Sequence, residues 1–202
     1  MADLKEKFGI ETIRSACKGF KSRIYGFILF TEQNPHVVKA LRDNDYWVSL
    51  DKRSGLNWPI FSVKPLEQGH WDYPNFPKGS IGMMIPIWKE PEANLECLRW
   101  FGLENSRNLP CFVTFMWDDN EELNCIITKI KGNNKDEVYN SLETIVQIIS
   151  DAETKILEEN KATVNVFREV KQDLEAQDFM CELKKLYGYV KDFKSFFNLI
   201  GL

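Results

Sequence analysis

The chain has no Cys-x-x-Cys pair, only two histidines, no glycine-rich phosphate loop, no excess of basic residues and no apolar run long enough to span a membrane. Each absence excludes something. The five cysteines, Cys17, Cys97, Cys111, Cys125 and Cys181, are scattered and odd in number, which suggests neither a disulfide framework nor a zinc site. His36 and His70 are far apart, and neither has a Ser or Cys beside it for nucleophilic catalysis. Without a P-loop or dinucleotide-type glycine motif, no nucleotide cofactor is expected. The formal net charge of −4 argues against a dedicated nucleic-acid binder, which carries a basic stripe. A membrane span needs about 20 apolar residues, and membrane association is not expected. The first residues, Met1-Ala2-Asp3-Leu4-Lys5-Glu6-Lys7, lack the apolar core of a signal peptide. The expected compartment is the cytoplasm, with reduced, mostly buried thiols.

What is present is an ordinary globular balance: 44% apolar, 28% charged and 13% aromatic over 202 residues. Such a chain can bury a sizeable core without disulfides or metal. Ile24–Phe30 is a continuous apolar run, the pattern of a central strand buried on both faces. Asn34-Pro35 offers an N-cap and a proline at the first helical position, with Val37, Val38 and Leu41 as the apolar face. Tyr46–Leu50 reads as the next strand, completing a βαβ unit. Residues 2–20 read as helical.

Residues 53–91 break this rhythm. They hold six of the eight prolines and three of the six tryptophans, too aromatic a composition for a flexible linker. This segment reads as an insertion, a hairpin-like flap with strand-like pieces at Trp58–Val63 and Ile81–Trp88. Trp58, His70, Trp71, Tyr73 and Phe76 either line a groove for a ligand or protein partner or fold the insertion onto the core. Beyond it, residues 91–102 read as a helix with Gly102 at its C-cap, 110–117 and 123–130 as antiparallel strands, and Asn134-x-x-Glu137 as a capping-box start. Val138, Leu142, Ile145, Ile149, Ala152 and Ile156 then hold one apolar helix face. The Asp118, Asp119, Glu121, Glu122 cluster in the intervening turn is either a cation site or a solvated hairpin tip. The tail, 161–202, reads as helical. Tyr189, Phe193, Phe196, Phe197 and Ile200 form an aromatic stripe near Lys184, Lys185, Lys191 and Lys194, which either docks on the chain itself or across a dimer, or binds a partner groove or a membrane surface.

The order β-α-β, insertion, α-β-β-α, with Leu109-Pro110-Cys111 at the mouth of a buried strand and Phe101-Gly102-Leu103 just before it, resembles the thioredoxin-like fold. The resemblance covers residues 24 to about 155. It implies an α/β protein with a mixed sheet and flanking helices over 1–160, the insertion at 53–91 and a helical C-terminal extension at 161–202. It also implies a cis Leu109–Pro110 bond. The departure from the family is chemical: its Cys-x-x-Cys position reads Thr31-Glu32-Gln33-Asn34, with no sulfur. The chain therefore resembles a divergent, redox-inactive member. Its expected role is non-catalytic, as a protein-interaction or assembly module acting on a protein partner or a second copy. The protein-binding candidates are Trp71, Tyr73, Phe76, Phe193, Phe196, Phe197 and Ile200. Two alternatives stand beside it: an atypical thiol-dependent oxidoreductase or peroxidase using Cys111, and a small-ligand sensor. No metal or cofactor is expected.

Overall fold

A computed structural model describes residues 2–4, 24–54, 58–63, 71–72, 87–88, 95, 98–99, 101–103, 109–117, 123–159 and 163–186. The elements in chain order are β1 (Ala2–Leu4), β2 (Tyr25–Leu29), α1 (Pro35–Arg42), α2 (Asn44–Ser54), β3 (Ile60–Val63), β4 (Trp71–Asp72), β5 (Ile87–Trp88), β6 (Cys111–Trp117), β7 (Leu123–Lys129), α3 (Lys135–Glu159), α4 (Thr163–Ala176) and β8 (Cys181–Leu186). The protein is α/β. A mixed sheet has the order β1-β3-β2-β6-β7-β8, and β4 and β5 form a separate antiparallel pair. β1 and β2 run parallel to β3, while β6, β7 and β8 are successively antiparallel.

The apolar run at 24–30 is the interior strand that its composition predicts: every residue of β2 is buried, between β3 and β6. Alternation along the strands divides the core into two layers. On one face Ile28, Phe112, Met116 and Ile126 meet the helices, where Val37, Leu41, Leu142, Ile145, Ile149 and Val170 are buried. The predicted face of α3 is therefore the buried one from Val138 to Ala152. Each large aliphatic side chain there contributes roughly 1.5–3 kcal/mol by leaving water. On the other face Phe27, Phe61, Phe101 and Phe115 form an aromatic cluster with ring centroids 5.2–5.7 Å apart. Gly102 (φ 63°) ends the preceding helical turn, with Gly102 N–H donating to Arg99 O and Leu103 N–H to Leu98 O. This is a Schellman cap, where glycine avoids the Cβ penalty of a left-handed residue.

Four expectations need correction. Tyr46–Leu50 is not a strand but the middle of helix α2. Its β-branched and aromatic composition favours a strand only weakly, and packing on α3 overrides it. The Tyr46 ring stacks on Tyr139 at 4.1 Å, Tyr139 Oη donates to Ser49 Oγ at 2.5 Å, and Arg53 pairs with Glu143 at 2.5 Å. Positions 46, 49, 50 and 53 share one face only at helical spacing. Second, the piece read as strand at Trp58–Val63 lies in the main sheet as β3, so the parallel partner of β2 comes from the segment assigned to the insertion. Antiparallel pairing within that segment is between β4 and β5, with Trp71 opposite Trp88. Third, Ala2–Leu4 is a strand and not part of a helix.

Fourth, the helical extension at 161–202 does not persist. α4 buries Val166, Phe167, Val170 and Leu174. It stops at Asp178 (φ 68°), with Asp178 N–H donating to Glu175 O and Phe179 N–H to Leu174 O. The chain then turns back as β8, antiparallel to β7. The sequence Cys-Glu-Leu-Lys-Lys-Leu hides this strand because an edge strand tolerates charge that a buried one does not.

Candidate functional site

The antiparallel register pairs Leu29 with Cys111. It therefore brings the Thr31–Asn34 turn, which leads from β2 into α1, and Leu109–Pro110 to one end of the sheet. The Leu109–Pro110 bond is cis. Pro110 O accepts from Ile130 N–H at 3.0 Å, tying this entrance to the end of β7.

The turn is closed on itself. Asn34 Oδ1 accepts from Thr31 N–H at 2.8 Å and from Thr31 Oγ1 at 3.2 Å, and Asn34 N–H donates to Thr31 O at 2.8 Å. Pro35 takes the first helical position as its fixed φ favours, but the Asn34 side chain does not cap α1 as its type predicts. It reaches back to Thr31 instead. The Glu32 carboxylate is nearly buried and stands 3.9 Å from the Arg42 guanidinium on the last turn of α1. His36 is half-buried in the first turn of α1. The helix end that would stabilise a thiolate is thus bordered by an amide, a hydroxyl and a carboxylate.

Cys111 is fully buried on the aromatic face of the sheet. Burial, reinforced by the neighbouring Cys125, pushes its thiol up to about 12, against a smaller opposing effect of Lys129. Since the thiolate is the nucleophile, burial disfavours the reactive form of this thiol. Cys125 is also buried. Cys181, half-buried at the start of β8, is raised chiefly by burial and partly relieved by its contact with Thr128 Oγ1 at 3.6 Å. Among the described residues no three His, Cys, Asp or Glu side chains are grouped to hold a metal ion, and no helix is long and apolar enough to cross a membrane.

Of the other candidates, Trp58 is a fully buried core residue. Its ring packs edge-on to Phe112 and its Nε1–H donates to Ser150 Oγ. Trp71 lies on β4. Tyr73, Phe76, His70, Phe193, Phe196, Phe197, Ile200 and the acidic cluster at 118–122 fall outside the described residues.

Two features escape sequence reading. One is a polar seam between α2 and α3. Lys135 Nζ bonds Asp43 Oδ2 at 2.9 Å and lies 4.7 Å from the centroid of the Tyr46 ring, while Tyr46 Oη bonds Asp136. The Lys135 bond holds Asp43 below the usual carboxylate value and raises Lys135, and the bond to Asp136 raises the Tyr46 phenol. The other is the β8 margin. Here Ile127, Lys129, Met180, Cys181 and Glu182 line a shallow depression of about 200 Å³, and Met180 (63%) and Leu183 (47%) are exposed. The only sequence signal for β8 is the alternation of Cys181 and Leu183 with Glu182 and Lys184, which Lys185-Leu186 breaks.

No protein-family model, no curated protein and no solved structure matches the chain.

Proposed function

We propose that the chain is a non-catalytic, thioredoxin-like protein-interaction or assembly module of the cytoplasm. The strand order β3-β2-β6-β7, with the first pair parallel and the rest antiparallel, supports the thioredoxin-like reading, as do helices following β2 and β7. The observation that carries the functional reading is the Thr31–Asn34 turn. At the position where that fold places its nucleophile, the side chains bond one another and contain no sulfur. Buried Cys111 offers no substitute. Exposed Met180 and Leu183 on the sheet margin favour contact with another protein, since apolar side chains leave water more completely at an interface.

The test has two arms on the full chain. Insulin-disulfide reduction and hydrogen-peroxide consumption are expected to show no turnover above buffer; turnover lost on Cys111→Ser overturns the proposal in favour of a thiol enzyme. A reducing pull-down from the native host's lysate, with native mass measurement of the bait, is expected to show either a retained protein or a self-assembled bait. A folded bait that is monomeric and retains nothing also overturns it.

A further inference from the structure

We infer that β8 is a self-pairing edge, and that two copies of the chain join through it as an antiparallel, two-fold-symmetric β8–β8 ladder. The inference rests on the assembly side of the proposed function and names the partner. Among the described residues β8 is the last strand of the sheet, paired only with β7. Strand edges of this kind are templates for a further strand.

The backbone fixes which residues face outward. Lys129 N–H donates to Met180 O, and Lys129 stands opposite Met180 in the continued β7–β8 register. In an antiparallel ladder, hydrogen-bonded and non-hydrogen-bonded pairs alternate. Residues 180, 182, 184 and 186 therefore turn their N–H and C=O toward β7, and 181, 183 and 185 turn theirs away from the sheet. A second β8 must bond to those three.

Only a few symmetric registers satisfy that condition, and charge separates them. Cys181 opposite Leu183 would place Glu182 against Glu182. Leu183 opposite Lys185 would place Lys184 against Lys184. Leu183 opposite Leu183 places Glu182 against Lys184, twice by symmetry, as non-hydrogen-bonded pairs whose side chains approach most closely. The same register sets Cys181 against Lys185 and exposed Met180 against Leu186. It also puts the two half-exposed Leu183 side chains together on the helix-covered face, and closes about six main-chain hydrogen bonds. The sequence Met-Cys-Glu-Leu-Lys-Lys-Leu at 180–186 is thus complementary to its own reverse about Leu183.

The experiment is native mass spectrometry with sedimentation over a wide concentration range, on the full chain and variants of it. The wild type is expected to dimerise. Glu182→Lys and Lys184→Glu each turn two attractive pairs into two repulsive ones. Each is expected to weaken dimerisation by about tenfold or more. Combining both substitutions in one chain restores the dimer, and mixing the two single variants yields a heterodimer. Leu183→Pro removes an N–H that β7 does not use. An edge strand tolerates such a proline, so the monomer keeps its circular-dichroism spectrum while the dimer is lost. A wild type that stays monomeric at every concentration overturns the pairing, as does a dimer indifferent to both charge reversals. If that monomer still retains a partner protein, the interaction-module reading survives the loss of the pairing. A charge-sensitive dimer that also reduces disulfides leaves the pairing and removes that reading instead.

Discussion

Trp58 Nε1–H donates to Ser150 Oγ at 3.0 Å in the core, joining the entrance of β3 to the middle of α3. Ser150 Oγ also donates to Arg53 O at 3.2 Å, on the last turn of α2. One hydroxyl therefore fixes the end of α2, the start of β3 and α3 against one another. Ser150→Ala leaves the buried indole N–H without its acceptor and should cost about 1–3 kcal/mol. Urea unfolding measures it. In a Trp58→Phe background the same substitution should cost clearly less, because no indole N–H remains to be satisfied.

Gly26 lies where two rings converge. A Cβ built there stands 2.7 Å from Phe112 Cζ and 2.8 Å from a carbon of the Trp58 ring. Both rings are buried, so neither can swing away. Gly26→Ala should destabilise the protein by about 1–3 kcal/mol through overpacking. Adding Phe112→Leu should recover part of that loss in the same unfolding assay.

Asp178 holds a left-handed backbone at the end of α4, a conformation that costs a residue with a Cβ but not glycine. Asp178→Gly should stabilise the protein by about 0.5–1 kcal/mol, after the opposing entropy of a more flexible unfolded chain. Asp178→Ala should give no gain. Thermal unfolding of the two variants separates the backbone effect from loss of the carboxylate.

The seam between α2 and α3 predicts pH dependence at both extremes. Asp43 is lowered from 3.8 by its bond to Lys135, so its contribution is present above that value and is lost as pH falls through the lower folded value. Lys135 is raised from 10.5 and Tyr46 from 10.0. Their contributions are whole below those values and are lost as pH rises past them. Stability measured against pH should fall at the acid end less steeply in Asp43→Asn, and at the alkaline end less steeply in Tyr46→Phe. The seam is partly exposed to solvent, so both effects should shrink with added salt.

Cys111 should resist thiol reagents in the folded protein. With its thiol pushed up to about 12 by burial, the reactive thiolate is strongly disfavoured at pH 8. Labelling followed by peptide mass spectrometry should find Cys111 unmodified until denaturant is added. Native labelling at the rate of free cysteine would contradict the buried geometry.

The elements legible in the sequence are those whose pattern is enforced locally or by full burial. The run at 24–30 had to be an interior strand because polar positions are missing from both its faces. The 4-3 spacing from Val138 to Ala152 fixed the buried side of α3. Asn134 and Glu137 announced its start: Glu137 N–H donates to Asn134 Oδ1 at 2.9 Å, although the Glu137 carboxylate closes on Asn133 N–H and not on that of Asn134. The missing sulfur at Thr31–Asn34 is likewise plain from composition.

Tertiary structure alone decided the rest. Tyr46–Leu50 carries residues that suit a strand, yet it is helical because Tyr139, Ser49 and Glu143 meet across α2 and α3, a contact between segments some ninety positions apart. β8 carries too much charge to look like a strand, and it becomes one because β7 supplies a free ladder edge. Trp58 reads as a flap residue until Gly26 leaves the space that its ring enters. Local periodicity is written in neighbouring residues. Which face of a segment is buried, and against what, is set by partners distant in the chain.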